Sequence, residues 1–293
     1  MKSFRRVSLF VIAGVVAAGL APAGAQAPPV TPTLVTIRAS HQSGGVDRIV
    51  YEFEGGLPSS YRVRSVDELI ADGSGRRVRI AGRAILRVRF ADAVAHDAQG
   101  ETVFKRQAFA LPNIMTSVRA GDFEGVTTYG IGLAKRTDFQ VFTLQDPARV
   151  VIDVRAAFPT VDRRVYFFNL DNFIDNVMPF FTPVVRPVPA GAPATGVMDR
   201  LFAGPVSSER ADGLRLLRSR ATGFADLVIS DGVAEVRLAG GCSSGGSTVS
   251  VAGEIIPTLR QFPTVDWIKI FDRAGDTGSP TGDTDSIPAC LEP

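Results

Sequence analysis

Four arginines, Arg62, Arg64, Arg87 and Arg89, form the pattern with the clearest chemical meaning in this chain. Each pair is spaced two residues apart, and alternate side chains of a β-strand share a face. They belong to a run, residues 60–90, in which Arg62, Arg64, Arg76, Arg77, Arg79, Arg83, Arg87 and Arg89 face only Asp67, Glu68 and Asp72. A planar guanidinium fork can grip carboxylate or phosphate oxygens bidentately. If the two strands are neighbours, the four arginines make a basic face suited to an anionic polymer. The competing reading is an ordinary charged outer face, neutralised by nearby acids.

Other reactive groups are sparse. The chain has two histidines, His41 and His96, and neither lies in an H-x-x-E or H-E-x-x-H arrangement. A catalytic zinc wants three protein ligands, so zinc hydrolysis is not expected and both histidines read as structural or surface groups. Ser243-Ser244-Gly245-Gly246-Ser247-Thr248 leads toward a helix and could cradle an anion, although it reads more simply as a capping loop. The acidic stretch Asp272 to Asp285 offers calcium-type oxygens, but its spacing fits no EF-hand loop, and a solvated loop is the simpler reading. No catalytic residue, metal or cofactor is expected.

The N-terminus indicates where the protein works. Lys2, Arg5 and Arg6 precede an apolar run from Val7 to Ala21, and Ala23-Gly24-Ala25 follows. A basic start, a short apolar core and an A-x-A ending mark a secretory signal peptide, cleaved near Ala25. The run is about 15 residues, short for a membrane span; the alternative is an uncleaved anchor. No Cys follows it, which argues against a lipid-modified N-terminus. An exported protein works without ready ATP or NAD(P)H. The formal charge of +2 includes those three leader cations. Without them acids outnumber bases by one, so nucleic acid is not an expected partner. Cys242 and Cys290 are the two cysteines, and an even count in an exported chain suggests a disulfide. Two separate buried thiols are the alternative.

Two kinds of pattern divide the remainder. Residues 26–33 are a Pro-rich tether. From Leu34 to Val154 the apolar period is mostly two: Ile49, Tyr51 and Phe53; Leu86, Val88 and Phe90; Val150, Ile152 and Val154. Gly- and Asp-rich turns punctuate it, so this half is expected to be an all-β antiparallel sandwich, with at most one helical turn at Ala91–Ala95. After Ala156-Ala157-Phe158-Pro159 the pattern becomes α+β, with a small sheet and two helices. The helices are expected at Ala194–Ala203 and Thr248–Gln261, the second containing Pro257. Strands are expected at Arg164–Phe168, Val184–Val188, Ala225–Ile229, Ala234–Leu238 and Thr264–Phe271.

His41 with Val46-Asp47-Arg48-Ile49-Val50-Tyr51-Glu52-Phe53, Gly121-Asp122-Phe123-Glu124-Gly125, and the run Phe142 to Val154 containing Asp146-Pro147 together resemble the AMIN-like domain of secreted bacterial proteins. The resemblance covers 34–156 and implies a β-sandwich that localises envelope proteins, often on peptidoglycan. Arg164-Val165-Tyr166-Phe167, Leu201-Phe202-Ala203-Gly204-Pro205, Ser230-Asp231-Gly232 and Thr258-Leu259-Arg260-Gln261-Phe262-Pro263-Thr264-Val265 resemble the GerMN domain of sporulation and spore-germination proteins. That resemblance covers 163–273 and implies a non-catalytic α+β module, leaving residues 274–293 as an acidic tail tied back by the disulfide.

The expectation is a non-catalytic exported envelope protein. Its sandwich would bind peptidoglycan or another anionic envelope polymer through Arg62, Arg64, Arg87 and Arg89. Its second half would contact envelope proteins or a second copy. A wall-glycan enzyme of unrecognised type, or a regulatory partner of a wall hydrolase, are the alternatives.

Overall fold

Alternating apolar residues in the first half have to cover one another, and they do so as two sheets packed face to face. The computed structural model describes residues 30–293; the expected signal peptide and the first half of the Pro-rich tether lie outside these residues. The strands run β1 (Thr33–Gln42), β2 (Val46–Glu54), β3 (Ser60–Val66), β4 (Leu69–Ile70), β5 (Arg77–Val78), β6 (Ala84–Ala91), β7 (His96–Asp97), β8 (Gly100–Glu101), β9 (Arg106–Ala108), β10 (Ile114–Phe123), β11 (Val126–Leu133), β12 (Phe139–Leu144) and β13 (Ala148–Arg155). One sheet has the order β1-β2-β13-β12 and the other β3-β6-β11-β10-β9. All pairings within these two sheets are antiparallel. Tyr51 from the first sheet meets Phe90 and Tyr129 from the second at ring-centroid distances of 5.2 and 5.6 Å. The Tyr51 hydroxyl stays satisfied in this core by Ser117 Oγ at 3.0 Å.

The alanine-rich stretch Ala91–Ala95 is not the helical turn its composition suggests. Long-range backbone bonds win over local propensity. The Val94 N–H donates to Pro32 O at 3.0 Å and Val94 O accepts from the Leu34 N–H at 2.8 Å. Ala93 and Ala95 are thereby driven into the core. Thr33, grouped with the tether by composition, opens β1.

The second half contains β14 (Thr160–Asn169), α1 (Leu170–Ile174), β15 (Phe181–Pro189), α2 (Pro193–Ala203), α3 (Ser207–Ala211), β16 (Leu214–Arg215), β17 (Ala221–Ser230), β18 (Val233–Gly240), α4 (Ala252–Arg260) and β19 (Trp267–Phe271). Its sheets have the orders β15-β14-β16 and β17-β18-β19. β17 and β18 close through Asp231 and Gly232, both at positive φ. This two-residue turn matches the twist of a hairpin. The two longer helices fall where the periodicity indicates, although α4 begins at Ala252 and not at Thr248. Pro193 starts α2, and Gly204 at φ 90° followed by Pro205 ends it. In α4, Ile255 and Leu259 are buried one turn apart, with Val251 just before the helix and Phe262 just after it. The single-turn α1 and α3 are too short for an apolar period to announce.

The Cys242–Cys290 disulfide forms, closing a separation of 48 residues. A loop of this size is worth roughly 4 kcal/mol on the chain-entropy account. The acidic tail it anchors is more ordered than a solvated loop. Ser286 bridges to β19 beside Lys269, and the buried Lys269 ammonium is held by the carbonyls of Ser279 and Thr281 at 2.8 and 3.2 Å.

Glu254 of α4 is fully buried and accepts from the backbone N–H groups of Phe168 and Leu217. Burial lifts its carboxyl from 4.5 to about 8, against the pull of those two N–H groups. The folded state therefore holds a proton that the unfolded chain releases near 4.5, so this group's contribution is full below that pH and declines up to about 8. In denaturant melts from pH 4 to 9, Glu254→Gln should flatten the decline in stability across that window. An unchanged slope would exclude Glu254 as its source.

Candidate functional site

Strand register settles whether the four arginines meet. β3 and β6 pair antiparallel with Arg62 opposite Arg89 and Arg64 opposite Arg87. Directly opposed residues share a face, and Val88 and Phe90 fill the other side of β6 as core. All four guanidiniums therefore project from the outer face of the five-stranded sheet.

That face is only half open. The segment Leu69–Ala81, carrying the β4–β5 hairpin, folds over its other part. Leu69, Val78 and Ile80 pack there on Ile85, Val118 and Ala120. Two glycines of β11 make room for it: a Cβ at Gly132 would collide with the Ala81 carbonyl, and one at Gly130 with Leu69. The same segment brings Asp72 to Arg87, with Nη2 donating to Oδ1 at 2.5 Å. The quartet therefore divides. Arg87 is half-buried and neutralised, as the competing reading of the sequence allowed. Arg62, Arg64 and Arg89 are exposed and have no carboxylate partner among the described residues.

The remaining candidates are structural in placement. His41 Nδ1 bonds Asp47 at 2.7 Å and His96 Nδ1 bonds Asp122 at 2.8 Å. Burial pushes the Asp122 carboxyl up, but hydrogen bonds from Thr127, His96 and the Ala95 N–H outweigh it and hold it below its usual value. Gly241-Cys242-Ser243-Ser244-Gly245 has the G-x-S-x-G spacing of a nucleophile elbow. Here it is a loop beside the disulfide, with the Ser243 hydroxyl accepting from the Gly245 N–H at 3.1 Å. The Ser244 N–H donates to Cys290 O at 2.7 Å, so the loop is pinned rather than open. No group of three or more metal-ligating side chains occurs among the described residues, and none of their helices is long and apolar enough to cross a membrane.

Residues 32–156 match the family model of the AMIN-like domain, and residues 164–271 match the model described as sporulation and spore germination. The chain carries these two domains in that order. No curated protein and no solved structure matches it. AMIN-like domains are generally associated with peptidoglycan binding, and the pair of domains fits an envelope or sporulation-related protein. The exposed arginines lie on the AMIN-like domain. Strand spacing marks them in the sequence, but nothing local marks Arg200 of α2, whose carbonyl partners Phe109, Leu111 and Pro112 lie in the other domain.

The covering segment supplies a test of the AMIN-like face. Gly132→Ala should cost about 1–3 kcal/mol through overpacking, read as a lower urea midpoint. An unchanged midpoint would mean that Leu69–Ala81 does not seat on β11.

Proposed function

We propose that this is an exported, non-catalytic protein of the cell envelope. In this reading the AMIN-like domain holds peptidoglycan or another anionic envelope polymer, and the germination-type domain makes protein–protein contacts, with an envelope protein or a second copy. The carrying observation is the cluster of unpaired Arg62, Arg64 and Arg89 on the open face of a domain whose relatives are associated with peptidoglycan. Carboxylates of wall peptides and phosphates of wall polymers are the anions such a face would meet. Arg87 contributes less, since Asp72 already occupies it.

One observation favours a role in assembly, including the regulatory-partner reading. Ile174, Val177 and Met178, at the turn between α1 and β15, are 70%, 54% and 71% exposed. Apolar side chains this close together and this exposed are a usual mark of protein contact.

The test is co-sedimentation with purified peptidoglycan sacculi at rising salt. The protein should pellet with sacculi at low ionic strength and lose binding as salt screens the face. The triple variant R62E/R64E/R89E should weaken binding by about tenfold, three exposed ion pairs being worth roughly 0.5 kcal/mol each. Binding that ignores both salt and the triple variant would overturn this reading.

A further inference from the structure

β3 is the outermost strand of the five-stranded sheet, with β6 on one side and no strand on the other. Its seven residues are a usual strand length. Among the described residues, no backbone group outside β6 bonds to Ser60–Val66. The other three edges of the sandwich differ. β1 is partly covered, since the Leu34 N–H donates to Val94 O at 2.8 Å and Leu34 O accepts from the Thr102 hydroxyl at 2.6 Å. β9 has only three residues, and β12 carries no charged side chain.

An unpaired edge is a template for another strand, and proteins often blunt such edges with charge. On β3 the charges have one sign. Arg62 and Arg64 project from the outer face opposite Arg89 and Arg87, and directly opposed like charges are unfavourable. Asp72 relieves one of these pairs through Arg87. The acids nearest in sequence to β3 are turned elsewhere. Asp67 pairs with Arg136 at 3.3 Å, Glu68 with Arg77 at 3.1 Å, and Asp92 accepts from the Ser59 hydroxyl. Tyr61 and Val63 alternate with the arginines and so share the inner side. Val63 packs on the sandwich core, and Tyr61 is 38% exposed. The edge therefore offers a cationic row outside and an apolar row within. The β3 strand of a second copy would set arginine against arginine. The complement is a strand with acids at alternate positions and apolar residues between them.

We propose that the β3 edge captures an extended segment of an acidic protein as a sixth strand of this sheet. The backbone of the segment pairs with Ser60–Val66, its carboxylates lie beside Arg62 and Arg64, and its apolar side chains cover Tyr61 and Val63. Main-chain bonds supply the affinity of such a strand, and its alternate side chains supply the specificity. The proposal rests on the reading of this face as anion-binding and adds a protein segment to the anions it takes.

The experiment is fluorescence anisotropy of a labelled peptide of alternating glutamate and valine, as long as β3, titrated with the protein at low salt. It should bind saturably. R62E/R64E should weaken binding by about tenfold, and a peptide of alternating lysine and valine should bind that variant and not the native protein. Both arginines are exposed, so the variant keeps the fold. Two further probes carry N-methyl groups, one on its glutamate amides and the other on its valine amides. One of the two should lose binding, because a paired strand turns alternate N–H groups to its neighbour. No binding of the glutamate–valine peptide, equal binding to R62E/R64E, or undiminished binding of both methylated probes would each overturn the proposal. Sacculi that pellet with the protein while the peptide does not bind would overturn this proposal alone. Peptide binding without sacculus binding would support it and overturn the wall-binding reading.

Discussion

One buried guanidinium ties the two domains to a single segment. Arg200, on α2 of the second domain, is 1% exposed. Its Nη1 donates to Phe109 O at 3.1 Å, and its Nη2 donates to Leu111 O and, at 3.1 Å, to Pro112 O. The next residues are held from the other side. Asp47, fully buried in β2, accepts from the N–H groups of Asn113 and Ile114 at 2.6 and 2.8 Å. The segment entering β10 thus gives its carbonyls to one domain and its amides to the other. Burial pushes the Arg200 guanidinium down to about 9, with repulsion from Arg186 adding and Asp47 and Asp199 opposing. It stays charged at neutral pH, and the carbonyls are what offset its desolvation.

The rest of the junction follows from that fixed point. Arg83 reaches Asp199, the neighbour of Arg200 on α2. Met115 and Ala134 pack on Ala203 near the end of the same helix. With α2 seated in this way, Phe202 and Phe224 come to face the Leu69–Ala81 segment and leave a cleft between them. The same segment shields half of the outer face and neutralises Arg87, which leaves Arg62, Arg64 and Arg89 as the free cations of the β3–β6 pair. The open face and the junction cleft are therefore two consequences of one packing arrangement.

Local patterns were legible where a residue's role depends on its near neighbours. The helical spacing of Val197, Leu201 and Phe202 marked α2, Asp231-Gly232 marked the β17–β18 turn, and the two-residue spacing of the arginines marked a shared face. Roles that depend on distant partners were not legible. Arg200 resembles any surface arginine on an amphipathic helix until Phe109, Leu111 and Pro112 are beside it. The covering segment rests on Gly130 and Gly132, and in a strand pattern those glycines look like gaps rather than a seat. Asp72 was legible as a nearby acid but not as the specific partner of Arg87. Ala91–Ala95 read as helical because nothing local shows that Val94 pairs with Pro32 and Leu34.

The most direct measurement is urea unfolding of Arg200→Met, a variant that keeps much of the side-chain volume but leaves three partly buried carbonyls without their donor. It should be followed by hydrogen exchange at Asn113 and Ile114. The expected result is a loss of about 3 kcal/mol or more, faster exchange at both amides, and separate unfolding of the two domains in place of one transition. A single transition at the native midpoint, with both amides still protected, would contradict it.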